Sequence, residues 1–134
     1  MEPTLAAEIP GNDEYRALRT AAGLSPMSAE GAATGLPASW SSVCVRHAGE
    51  LVGMGRVVGD GALFLFVVDI AVTPAWQGKG LGRRIMQALM DEVRARAPAR
   101  TVLGLIADGT ACRLYEKFGF KLVGPDANGM LMRL

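Results

Sequence analysis

The stretch Gln77, Gly78, Lys79, Gly80, Leu81, Gly82 decides how this chain reads, because an apolar run ends just before it and an amphipathic run begins within it. Glycines at three alternate positions carry no Cβ. Successive main-chain N–H groups are then free to turn toward one anion, and a helix starting here adds its positive end. Upstream, Leu63 to Val72 is apolar except for Asp69, the composition of a strand buried on both faces. Downstream, Leu81, Ile85, Ala88, Leu89 and Val93 recur at helical spacing, Met86 and Met90 widen the stripe, and Pro98 stops it. Strand, glycine loop and helix in that order predict a phosphate-bearing ligand at residues 77–82.

Two phosphate loops are excluded by spacing. A P-loop requires Gly-Lys followed by Ser or Thr, whereas Lys79 is followed by Gly80. A dinucleotide fingerprint requires Gly-x-Gly-x-x-Gly and an acidic residue at the end of the next strand, but the glycines fall at 78, 80 and 82 and the next strand begins Val102, Leu103.

The loop resembles the acetyl-CoA loop of the GCN5-related N-acetyltransferase (GNAT) family, Gln/Arg-x-x-Gly-x-Gly/Ala, over Gln77 to Gly82. A second family signature, Ala-x-x-Leu-Tyr-x-x-x-Gly-Phe, is matched by Ala111, Leu114, Tyr115, Gly119 and Phe120. A long helix and one strand separate the two motifs, as in the family, and the resemblance runs from about residue 43 to 134. It implies that the edge of the strand at Ile70, Ala71 and Val72 pairs with pantetheine as with a peptide. It implies that Gly78, Lys79, Gly80, Leu81, Gly82 and Arg83 hold the pyrophosphate, with Lys79, Arg83 and Arg84 supplying positive charge. Tyr115 matches the tyrosine that protonates or hydrogen-bonds the CoA sulfur. Asp108 stands where many relatives have Asn, and a carboxylate there cannot donate to the cofactor. The positions of the usual base hold Phe66, Val68 and Leu103, all apolar. Asp69 is the obvious substitute, but an Asp in an apolar run is more commonly structural, satisfied by backbone N–H groups or by an Arg such as Arg56.

A chain of 134 residues, half of them hydrophobic and with a formal charge of +1, is read as a single domain over residues 1–134 with no basic field for nucleic acid. Its longest apolar run is too short for a bilayer, and the residues from Met1 to Pro10 lack a basic secretory start, so a cytoplasmic, membrane-free protein is expected. Cys44, Cys112 and a single His at 47 offer no metal site.

The remaining elements are read as a strand over 4–9, a helix over 14–22 capped by Asn12 or Asp13, and a short helix and loops over 23–42. A hairpin, 43–47 and 51–58, turns at Ala48-Gly49, and a turn at Asp60-Gly61 leads into 63–72. A strand over 101–107, a helix over 110–118 and a final strand pair, 122–123 with 130–134, complete an α/β (α+β) fold. It has a mixed, mostly antiparallel sheet with helices on both faces.

The resemblance implies an acetyl-CoA-dependent N-acetyltransferase that moves the acetyl group directly to a primary amine of a small molecule. Arg16, Arg19 and Trp40 are the candidate acceptor contacts in a wall formed by 23–40. A protein N-terminus or lysine is an alternative acceptor. A non-catalytic acyl-CoA sensor is an alternative of another class, and a homodimer is compatible with the family.

Overall fold

The computed structural model describes residues 2–107, 111–127 and 129–134. Five strands form one sheet in the order of the chain: β1 (Thr4–Ala7), β2 (Ser41–His47), β3 (Glu50–Gly59), β4 (Phe64–Val72) and β5 (Val102–Leu105). The first four are antiparallel neighbours; β5 lies parallel to β4, from Phe64 opposite Val102 to Val67 opposite Leu105. A parallel partner needs a crossover, which α3 (Leu81–Arg96) supplies.

Alternation along the strands divides the core in two. Val45, Val57, Leu65 and Val67 face α3, which buries Leu81, Ile85, Met86, Leu89, Met90 and Val93 against them. Cys44, Met54 and Ala71 face the opposite way, onto Tyr15 and Leu18 of α1 (Asn12–Ala21) and Ala32 of α2 (Ala29–Gly35). Helices on both faces of a mixed, mostly antiparallel sheet are therefore observed. The β2–β3 hairpin turns at Ala48 and Gly49, both with positive φ, the geometry a two-residue turn demands.

Four local expectations are corrected. The cap of α1 is Gly11, whose N–H donates to the Glu14 carboxylate at 2.8 Å, while the Asn12 amide donates to the Ala29 carbonyl and ties α1 to α2. Strand β4 is not buried on both faces throughout. Phe64 and Phe66 are exposed, whereas Ala71 near the other end of the strand packs in one cluster with Tyr15 and Leu18 of α1. The helix after β5, α4, runs over Cys112–Glu116. The final strand pair is not formed: residues 120–127 and 129–134 contain no strand, and Leu122, Val123, Met130 and Leu131 are exposed. Leu122-Val123 is followed at once by Gly124-Pro125, so too few N–H groups remain for a ladder, and an isolated two-strand ribbon is marginal in water. Among the described residues, no helix is long and apolar enough to cross a membrane.

Candidate active site

Strand β4 outruns its neighbour. Its pairing with β5 ends at Val67–Leu105, yet β4 continues to Val72, so Ile70, Ala71 and Val72 face β5's side with, among the described residues, no strand beside them. A bulge sharpens the opening. Between the pairs Met54–Ala71 and Arg56–Val68, one residue of β3, Gly55, opposes two of β4, Asp69 and Ile70. Asp69 takes the left-handed conformation that this requires, with φ of 58°, one that Asp tolerates better than most residues.

Holding Asp69 there is a buried polar network. Its carboxylate accepts from Tyr15 Oη at 2.9 Å, from Arg56 Nε at 2.8 Å and from the Arg19 guanidinium. Arg19 also donates to Ser25, and Arg56 to Ser39 Oγ at 2.9 Å. Burial, together with the neighbouring carboxylate, pushes the Tyr15 hydroxyl pKa up. Three donors occupy Asp69, two of them cationic, which fits a structural carboxylate. The Arg56 pairing follows the sequence reading; Tyr15 and Arg19 were not foreseen as its partners. Their signal was faint: Tyr15 and Arg19 lie one helical turn apart.

Beyond Val72 the chain turns through Pro74–Trp76 and reaches the loop. The Gln77 amide folds back to donate to the Val72 carbonyl at 2.9 Å, closing the end of β4. Gly78 and Gly80 have φ of 76° and 83°, so the loop needs glycine for its backbone conformation, and Gly80 caps α3 without any side-chain bond. The N–H groups of Leu81, Gly82 and Arg83 have no acceptor within the helix. No acidic residue occupies the first turn, while Lys79, Arg83 and Arg84 are exposed around it. Cations at a helix N-terminus oppose its dipole, an arrangement that an incoming anion reverses. The Lys79 ammonium rests over the Trp76 ring, 5.0 Å from its centre, a contact not foreseen in the sequence. Gly82 lies at the α3–α4 contact: a Cβ there would sit 3.8 Å from Leu114.

Tyr115 is buried on α4, edge-on to Phe120 with ring centres 6.4 Å apart, and borders a cavity of about 580 Å³. Asp108 lies outside the described residues. Two acceptor candidates are displaced. Arg19 belongs to the Asp69 network, and Trp40 packs under Arg96 of α3, 4.1 Å from ring centre to guanidinium, on the far side of the sheet. Arg16 bonds Asn12 and Asp13 at the surface. Among the described residues, no three His, Cys, Asp or Glu side chains converge as they would around a metal ion. Burial pushes the Cys44 thiol up to about 12, so it is inert.

An open strand edge, a glycine loop with two positive-φ glycines and a helix N-terminus ringed by cations lie in series along the chain, an arrangement able to take an extended amide chain and then an anion. Comparison with known proteins gives the family. Residues 39–122 match the model of the acetyltransferase (GNAT) domain. Over 80 residues, 60% of the chain, it is 35% identical to serotonin N-acetyltransferase 2 of Oryza sativa subsp. japonica. Over 99 residues it is 29% identical to histone acetyltransferase TAP1 of Glycine max. The matches span 38% and 42% of those two relatives' own lengths. A crystal structure from methicillin-resistant Staphylococcus aureus, described as a probable acetyltransferase, superposes with a TM-score of 0.95 at 38% identity over 99% of this chain and 100% of that one. The chain belongs to the GCN5-related N-acetyltransferase family, whose members generally use acetyl-CoA.

Proposed function

We propose that the protein is an acetyl-CoA-dependent N-acetyltransferase acting on a primary amine of a small molecule. The observation that carries this reading is the run of open β4 edge, glycine loop and α3 N-terminus. Bound acetyl-CoA supplies an electrophilic acyl carbon and a thiolate leaving group. The edge groups of Ile70, Ala71 and Val72 align the pantetheine arm and place a main-chain N–H near the thioester carbonyl, where it stabilises developing negative charge. The free N–H groups of α3, with Lys79 and Arg83, hold the pyrophosphate. Tyr115 donates its hydroxyl proton to the departing sulfur. Nitrogen–carbon bond formation and carbon–sulfur cleavage thus need one proton delivered and one removed.

Among the described residues, none of the positions weighed as a base is placed for the removal: Asp69 is committed to three donors, and Phe66, Val68 and Leu103 cannot accept a proton. The amine therefore enters neutral and loses its proton to water. On the sheet face opposite α3, Phe64, Phe66 and Ile106 are exposed and apolar, which favours an amine with an apolar body. Release of the CoA thiol should be followed with arylalkylamines, polyamines, aminoglycosides and peptides. An apolar-bodied amine is expected to turn over best, with kcat/KM rising tenfold per pH unit up to the amine's own pKa. A pH profile governed by an enzyme group below neutrality would contradict the base-free route, and turnover confined to peptides would contradict the small-molecule acceptor.

A further inference from the structure

Phe66 pairs with Gly104 one step before β4 and β5 part, so its side chain stands about 3 Å along the strands from the base of the fork. Leu65 and Val67 are buried under α3 and Leu103 and Leu105 pack at the margin of the same cluster, so Phe66 and Gly104 share the opposite face. There the Phe66 ring lies across β5. A Cβ built on Gly104 would stand 3.0 and 3.1 Å from two ring carbons, tighter than ordinary packing, so the missing side chain is what seats the ring on the β5 backbone. The outer side of the ring is open, with Phe66 39% exposed. Phe64, in the preceding pair, and Ile106, just past the fork, are exposed on the same face and bound the ring before and after it. Asp69 at the bulge is taken by Tyr15, Arg19 and Arg56, so recognition at this end of the fork falls to the body of the amine and not to its charge. An open ring seated on bare backbone beside the reacting edge is a feature that the transfer step itself does not use.

We propose that Phe66, seated on Gly104, is the acceptor-selecting platform of this site, and that the acceptors it selects are arylalkylamines. Their ring stacks on Phe66 while the alkyl arm carries the nitrogen into the fork. This rests on the acetyltransferase reading above and narrows its apolar-bodied amine to an aromatic one. Two rings in offset or edge-on contact gain about two- to tenfold in affinity beyond the apolar area they bury. A linear alkylamine finds apolar contact on the same surface but no ring partner. Gly104 acts through Phe66 and is a positioning residue: it touches no acceptor and holds the ring that does.

The test compares 2-phenylethylamine with hexylamine, primary amines of similar apolar size, by release of the CoA thiol below saturation with amine. Expressed per neutral amine, kcat/KM of the wild type should favour 2-phenylethylamine. Phe66→Leu keeps an apolar side chain and removes the ring, so kcat/KM for 2-phenylethylamine should fall about tenfold, chiefly through KM, while hexylamine loses far less. Gly104 has no positive φ, so Gly104→Val suits the strand backbone, yet it unseats the Phe66 ring and should bring the same selective loss with Phe66 still in the chain. Both variants undo one contact, so the double variant should lose no more than the larger single loss. The KM for acetyl-CoA and the thermal midpoint should stay in place throughout. Equal losses for the two amines, or a Gly104→Val enzyme that keeps the wild-type preference, would overturn the platform and leave the acetyltransferase standing. Transfer to neither amine by a wild type that binds acetyl-CoA would remove the small-amine reading, and the platform with it.

Discussion

Tyr115 is buried on α4 with its ring edge-on to Phe120, so replacing it with Phe keeps the packing and removes one hydroxyl. Proton delivery by a positioned acid contributes about 10² to 10⁴ in rate, and Tyr115→Phe should lower kcat at least about tenfold with little change in the KM for acetyl-CoA. Acyl donors with more acidic thiols should narrow the gap. Equal kcat under chemistry-limited conditions would return Tyr115 to the core. At Asp69 the opposite balance holds. Asp69→Asn preserves the left-handed backbone but leaves Arg19 and Arg56 buried without their counter-charge, a loss of about 3 kcal/mol that a denaturation midpoint reads directly. Turnover per folded molecule should survive. A variant as stable as the wild type but slowed a hundredfold, on the order expected for a lost base, would make Asp69 that base.

At the scale of elements, the loop and α3 were legible because their signals are local: glycines at 78 and 80 are required by positive φ, and the stripe from Leu81 to Val93 is buried as its spacing demands. The cap of α1 was not, because Gly11 caps it through Glu14, three residues further on. Glu14 and Glu8 both bind Arg46, fastening α1 and the end of β1 to β2. The Arg46 guanidinium, and then the Gly11 N–H, lower the Glu14 pKa below its ordinary 4.5. A lowered carboxyl contributes stability above its unfolded value and loses it as the pH falls through the folded one. Glu14→Gln should therefore cost about 0.5–1 kcal/mol at neutral pH, and the difference from wild type should shrink as the pH drops below about 4.5. A gap that widens in acid would rule out the ion pair as its source.

Taken as a whole, the sheet with helices on both faces was legible from alternation and helical spacing, and the candidate site rests on two motifs, the loop before α3 and the α4 segment whose Leu114 lies against Gly82 of α3. What was not legible depends on residues distant in sequence. The bulge at Asp69 arises from its register against Gly55, the network joins Tyr15 and Arg19 to Arg56, and Trp40 lies on the α3 side because Arg96 stacks on it. The C-terminal residues read as strands from composition, yet 120–127 and 129–134 contain no strand, because composition does not supply a ladder partner. Binding of acetyl-CoA at the loop is the point on which the account turns, and calorimetric titration of the wild type and of Gly80→Asp measures it. Micromolar affinity for the wild type is predicted. In the variant it should be lost, because a side chain at φ of 83° strains the cap and its carboxylate repels the phosphate. Equal affinity in the two proteins, with the variant folded, would contradict the account.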